Sequence, residues 1–220
     1  MQCIKDTIKN INIVIGCNIG CSYCYARMNN NRFHTIDDFN KPVFFENKLK
    51  MLDNKRHTAY LLTGQSDLSG WNEEWKDKVF SKMKENENTQ YIFLTKRPEN
   101  INLKETPDNG WFGVTVTSSK EKTRIDYLRN NIKAKHYHIT FEPMFDDVGK
   151  LDLNNISWIV IGTETGNRKG KISSKREWVF NIYNQAKEKN IPVFMKEDLL
   201  GILNEDEFVQ EFPKEFGGTK

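Results

Sequence analysis

Seven short apolar runs constrain what this chain can fold into more tightly than any other feature. They fall at 11–15, 59–62, 91–94, 111–116, 136–141, 158–161 and 192–195, and each is followed closely by polar or glycine residues. Near-continuous apolar strands of this length are what a parallel sheet buried on both faces requires. Several intervals between them carry helical periodicity. The segment 72–86 puts Trp75, Val79, Phe80 and Met83 on one face. The segment 119–130 opens at the capping pair Ser118-Ser119 and presents Ile125 and Leu128. A third, 174–190, has Ser173 or Ser174 as cap and presents Trp178, Val179, Ile182, Tyr183 and Ala186. A less regular helical pattern over 40–53 opens at Pro42.

Strands alternating with helices imply right-handed βαβ units and an α/β fold. A closed eightfold barrel typically needs about 250 residues. Seven runs in 220 residues therefore predict a partial, open TIM-like (β/α)6 barrel with a parallel sheet, with room for one extra C-terminal strand. The interval between 94 and 111 leaves space for only a loop or a single turn. Residues 1–212 read as one domain, and the tail 213–220 (Pro-Lys-Glu-Phe-Gly-Gly-Thr-Lys) reads as frayed.

With 37% hydrophobic and 29% charged residues and a mean hydropathy of −0.70, the exterior is expected to be wet. No stretch approaches the length of a membrane-spanning helix. The start, Met1-Gln2-Cys3-Ile4-Lys5-Asp6, lacks a secretory pattern. A cytoplasmic protein without a membrane partner is the expectation. The net charge of +3 is too small to argue by itself for a nucleic acid partner.

Chemistry concentrates where the first run ends, in Cys17-Asn18-Ile19-Gly20-Cys21-Ser22-Tyr23-Cys24. Protein iron–sulfur clusters are normally held by four thiolates. Cys17, Cys21 and Cys24, with no fourth thiol nearby, would hold three irons of a [4Fe–4S] cube and leave the fourth open. An open iron accepts a small molecule with a chelating amine and carboxylate, and S-adenosylmethionine carries that group. Zinc is the competing reading: a structural site wants four Cys or His ligands, and the nearest His, His34, lies ten residues past Cys24. That alternative is a non-catalytic zinc-binding module that recognises nucleic acid. Four cysteines in a chain without a secretory pattern argue against disulfides. Cys3 is left over, a thiol near the terminus.

Ligands of barrel-like α/β proteins gather at the C-terminal ends of the strands. Those ends read Gly16-Cys17, Thr63-Gly64-Gln65-Ser66-Asp67, Thr95-Lys96-Arg97-Pro98, Thr117-Ser118-Ser119, Glu142-Pro143, Thr163-Glu164-Thr165-Gly166 and Lys196-Glu197-Asp198. Nearly every strand delivers a hydroxyl, amide or charge to one rim.

The cysteine spacing, with Tyr23 just before the last cysteine, resembles the signature of the radical SAM superfamily. That resemblance implies a [4Fe–4S] cluster and S-adenosylmethionine as cofactors, and reductive cleavage of the sulfonium to a 5′-deoxyadenosyl radical that abstracts hydrogen from a substrate. It implies that Thr63-Gly64-Gln65, in place of the usual Gly-Gly-Glu-like turn, meets the methionyl amine, and that Tyr23 flanks the adenine. Thr115 and Thr117, on one strand face, are then placed for the ribose hydroxyls or the carboxylate, and Lys96 or Arg97 for the carboxylate. The ordered segments 93–98, 113–116, 141–143, 158–166 and 192–196 resemble a narrower group, the small phage- and mobile-element-associated radical SAM proteins of unknown function. Glu142, Glu164 and Lys196 become candidates for handling substrate or a proton, or equally for an ion network that shapes the rim. The basic loop 166–171 could grip phosphate. An external electron donor such as flavodoxin or ferredoxin is implied. A nucleic-acid or nucleotide substrate is favoured over a peptide.

Overall fold

The computed structural model describes residues 1–54, 56 and 58–217. A single helical turn, α1 (Ile4–Thr7), leads into β1 (Ile8–Asn10), β2 (Val14–Ile15), α2 (Tyr25–Phe33) and β3 (Val43–Phe44). There follow β4 (Ala59–Leu61), α3 (Glu73–Lys84), β5 (Gln90–Thr95), β6 (Gly110–Thr115) and α4 (Thr123–Asn131). The chain continues through β7 (His136–Phe141), β8 (Ile156–Ile161), α5 (Arg176–Glu188) and β9 (Val193–Met195).

Seven strands form one sheet in the order β1-β4-β5-β6-β7-β8-β9, and every neighbouring pair is parallel. The order never reverses, so every crossover returns over the same face. The result is the expected partial α/β barrel, left open between β1 and β9.

Strand alternation sorts side chains between two faces. On the outer face Tyr91, Phe93, Phe112, Val114, Ile139 and Ile159 pack with Val79, Phe80 and Met83 of α3, Ile125 and Leu128 of α4, and Val179 and Ile182 of α5. Phe93 and Phe112 stack at 4.9 Å, and Phe80 sets its edge on both at 5.8 and 5.9 Å. Offset and edge-on ring contacts of this kind add to burial. Asn72 starts α3 by accepting the Trp75 amide at 2.9 Å, with Glu73 and Glu74 in the first turn complementing the helix dipole.

The inner face is filled at its base by Ile8, Ala59, Ile92, Trp111, Trp158, Val160 and Phe194, and plugged by Phe216. Phe216 is 1% exposed and touches Trp111 at 4.7 Å and Trp158 at 5.3 Å. Thr58 donates to its carbonyl at 2.7 Å. The tail expected to fray is therefore docked as far as Gly217, because burying one Phe contributes roughly 1.5–3 kcal/mol; residues 218–220 lie outside the described residues.

Two further expectations change. The run 11–15 is not a barrel strand: β1 precedes it, and Val14 and Ile15 pair antiparallel with Phe44 and Val43. The segment 40–53 holds β3 and a 3-10 helix, Glu46–Asp53, rather than an α-helix. Ile13, Val14 and Leu52 of these segments are fully buried in the main core. The helix expected from Ser173 or Ser174 has Lys175 at its N-cap position with no side-chain cap bond, while the Ser174 hydroxyl donates to Thr163 Oγ1 at 2.9 Å. As expected, the short crossover from β5 to β6 carries only a 3-10 turn, Pro98–Asn100.

His138 is 1% exposed on the inner face, its Nε2 3.0 Å from the Phe93 carbonyl. Its ring lies where a Cβ on Gly113 would come within 2.3 Å, so the neighbouring strand must carry glycine there. Burial pushes the imidazole down to about 4 from 6.5. Below about 6.5 the unfolded chain binds this proton, and the folded chain does not until about 4. Stability present above the upper value is thus lost as pH falls, by about 3 kcal/mol in all. His138→Gln keeps a donor for the Phe93 carbonyl and should lack this share of the acid loss. Urea melts at about pH 7 and about pH 4.5 check it; identical pH dependence in variant and parent would refute the assignment.

Candidate functional site

Gly16 begins the turn into the cysteine loop with φ +115°, and a Cβ there would lie 2.9 Å from the Pro42 backbone. Only glycine suits that conformation and that approach. The loop then runs across the C-terminal ends of the sheet. The Gly16 amide donates to the Gln65 carbonyl at 3.0 Å, and the Cys17 amide to the Phe39 carbonyl at 2.6 Å. Arg27 Nη2 donates to the Cys17 carbonyl (2.8 Å) and to Asn40 Oδ1 (3.0 Å). Tyr25 donates its hydroxyl to the Gly64 carbonyl at 2.6 Å. Tyr23 meets Phe145 edge-on at 5.4 Å, and Lys96 Nζ lies 5.8 Å above its ring. Arg97 Nη1 reaches Asn18 at 3.3 Å. One loop is thereby fastened to the ends of β4, β5 and β7.

All three loop thiols are free and partly exposed. Burial pushes the Cys17 thiol up to about 11, helped by the charges of Asp67, Cys21 and Cys24. Burial, then the neighbouring Cys21, raises the Tyr23 phenol. Cys24 is the N-cap of α2, its sulfur accepting the Arg27 amide at 3.4 Å. Among the described residues no three His, Cys, Asp or Glu side chains form a group that could hold a metal ion. The thiols match a cluster's donors in kind and are one short of the usual four, and their side chains do not stand as a formed ligand set.

The rim residues divide into frame and free groups. Thr63 accepts the Leu94 amide at 2.7 Å. Thr117 donates its hydroxyl to Glu121 at 2.7 Å, and Glu121 pairs with Arg124 at 2.8 Å. Thr115 is buried and its carbonyl accepts from Arg124 at 2.8 Å. Thr63 and Thr117 thus serve the strand ends rather than presenting free hydroxyls.

Glu142 and Lys196, distant in sequence, form an ion pair, and Asp198 joins it 3.3 Å from Lys196. A Cβ on Gly162 would lie 3.1 Å from the Glu142 side chain, so the absent side chain makes the space. Burial alone would lower the Lys196 ammonium, but the charges of Glu142 and Asp198 outweigh it and hold it above its ordinary value. Burial raises the Asp198 carboxyl. Glu164 does not join this cluster. Both its oxygens are taken by Arg168, at 2.5 and 2.8 Å, and this pairing lowers its carboxyl. The loop 166–171 is folded back by that pair, and its one arginine is not free for phosphate.

Sequence reasoning placed Asp67 at a strand end without a role; it is buried and accepts from Thr95 Oγ1 (2.7 Å), the Lys96 amide (2.8 Å) and Ser69. It likewise placed Asp198 at the rim without its pairing to Lys196, and it missed the bracing by Arg27 and Tyr25. The place of Asp198 two residues past Lys196 follows the alternation of the strand; the bracing residues had no such signal.

A model for a family described as proteins of unknown function, DUF5131, matches residues 2–218. The chain belongs to the DUF5131 family. The expected membership of the radical SAM superfamily, and of its phage- and mobile-element-associated group, is corrected by this match: the family that spans the chain is DUF5131. Three cysteines on one loop are a short signal, the glycine turn departs from its pattern at Gln65, and the thiols do not stand as a ligand set. Part of this DUF5131 chain is similar to Lipase 1 of Staphylococcus aureus strains Mu50, N315 and NCTC 8325, 35% identical over 98 residues. That match covers 44% of this chain and 14% of the length of the lipase. The sequence has no Gly-x-Ser-x-Gly turn of the kind that exposes an α/β-hydrolase nucleophile. No solved structure matches the chain. Among the described residues no helix is long and apolar enough to cross a membrane.

Removing the central cation of the β7–β9 cluster leaves Glu142 and Asp198 facing each other unpaired. Lys196→Met is expected to cost about 2 kcal/mol at neutral pH, the pair being partly solvated. Protonating a carboxylate relieves that repulsion, so the deficit should shrink as pH falls. Thermal melts of both proteins at about pH 7 and about pH 5 measure it; a deficit that grows on acidification would reject the cluster's charge assignment.

Proposed function

We propose that the chain is a cytoplasmic enzyme that binds one [4Fe–4S] cluster through Cys17, Cys21 and Cys24 together with S-adenosylmethionine, and acts on a nucleotide or nucleic acid. The observation that carries this reading is three free thiols on one loop, without a fourth, laid across the polar end of an open barrel. When bound, the reduced cluster would supply one electron to the sulfonium, giving methionine and a 5′-deoxyadenosyl radical that takes hydrogen from the substrate. The electron comes from an external donor, flavodoxin or ferredoxin.

The chain's own residues hold and orient. Arg27 fixes the loop backbone at Cys17 and at Asn40. Cys24 is held at the amino end of α2, its sulfur accepting the Arg27 amide. Gln65 and the Gly64 turn are assigned to the amine of S-adenosylmethionine, Lys96 to its carboxylate, Thr115 to its ribose and Tyr23 to its adenine. Lys196, kept charged by its two carboxylates, acts as a donor and an ion-pair partner. Any proton acceptor is then Glu142 or Asp198, the latter with the raised carboxyl.

Anaerobic reconstitution with iron and sulfide should give a brown, reducible protein that forms 5′-deoxyadenosine from S-adenosylmethionine under a strong reductant. Cys21→Ala should lose both the colour and the nucleoside, read by absorbance and mass spectrometry. A colourless chain carrying stoichiometric zinc, or a Cys21→Ala protein that still makes the nucleoside, rejects the reading.

A further inference from the structure

Beside the cysteine loop a cavity of about 440 Å³ is lined by Ile19, Lys96, Arg97, Lys120, Arg124 and Tyr127. Its walls come from the loop itself, from the segment after β5, and from the start of α4. Two carboxylates, Glu99 and Glu121, also line it. Glu121 is already satisfied by Arg124 at 2.8 Å and by Thr117. Among the described residues, no carboxylate is ion-paired to Lys96, Arg97 or Lys120. Lys96, Arg97 and Lys120 thus converge on one concave surface with no ion pair among the described residues, and with Arg124 they outnumber its two carboxylates, although the whole chain is only +3. Tyr127 is 46% exposed at the cavity edge, a large ring on a helix surface otherwise polar there. Cations that position phosphates beside an aromatic ring that stacks a base are the two parts of a nucleotide site. The loop 166–171 has no aromatic ring, and its Arg168 is bound to Glu164.

The geometry points to this groove as the seat of a phosphate joined to a planar base: Lys120 and Arg97 hold the phosphate and Tyr127 stacks on the base of a nucleotide, free or within a single strand. This names the substrate class and rests on the preceding reading only for what happens to the nucleotide afterwards. Ile19, on the cysteine loop, lines the same groove and would bring the bound group beside that loop.

Fluorescence anisotropy of the full chain, with a labelled mononucleotide in one arm and a labelled single-stranded oligonucleotide in the other, tests it. Binding should weaken steeply with salt in either arm that binds, and the tighter arm identifies the source. Lys120→Ala should lower the salt slope by about one. Tyr127→Ala should weaken binding by about tenfold, and Tyr127→Phe should restore it. Both side chains are exposed, so the fold is expected to survive, and circular dichroism checks that. No binding of either probe at low salt, or unchanged binding in Lys120→Ala and Tyr127→Ala, overturns the proposal. Iron content after reconstitution, read on the same samples, separates the two readings: iron retained without probe binding rejects the groove alone, and probe binding without iron rejects the cluster alone.

Discussion

Parallel register is the constraint on which the rest of this molecule depends. Seven strands in one direction, buried on both sides, send alternate residues outward to helices and inward to the barrel interior. The outward set is uniformly apolar and aromatic. The inward set changes character along each strand. It begins with Trp111, Trp158 and Phe194 under the Phe216 plug and ends in Lys96, Thr115, Glu142 and Lys196. The interior is consequently closed at one end by packing and polar at the other. His138 marks the transition, a buried neutral imidazole seated over a residue with no side chain.

The polar end is organised by charge. Asp67 ties the β4 turn to the end of β5, Glu121 ties Thr117 to Arg124, Glu164 holds Arg168, and Glu142 with Asp198 encloses Lys196. Each of these carboxylates has a partner: Asp67 and the Glu142–Lys196 pair join different strand ends, while Glu121 and Glu164 fasten their own connecting segments. Buried charges survive only when paired in this way. Lys96, Arg97 and Lys120, which lack such partners among the described residues, line one groove after β5 and before α4. The rim thus holds a paired cluster at β7–β9 and a groove of unpaired cations near β5–β6.

Much of the fold was legible because a doubly buried parallel strand has few ways to be written. Six of the seven apolar runs became sheet strands, and the helices around Val79, Ile125 and Ile182 formed where periodicity placed them. The failures share a cause. Residues 11–15 have strand character, yet Val14 and Ile15 found their partner in Val43 and Phe44 instead of the main sheet. Phe216 looked like part of a polar tail, because nothing local reveals the gap between Trp111 and Trp158 that it fills. At the site, strand ends pointed to the right residues but not to their partners. Glu142 and Glu164 look alike in sequence; one meets a lysine 54 residues away and the other an arginine four residues on.

Taken alone, the sequence determined the strand direction, the two-faced burial and the clustering of polar groups at strand ends, since these follow from local periodicity and from which residue types tolerate burial. It also determined that three thiols share one loop. Tertiary structure alone decided which of those polar groups are spent on the frame, where the loop is fastened, and on which side uncompensated positive charge remains. The physical reason is that pairing energies depend on distance and burial between residues far apart in the chain, and neither quantity is written in any short stretch of it.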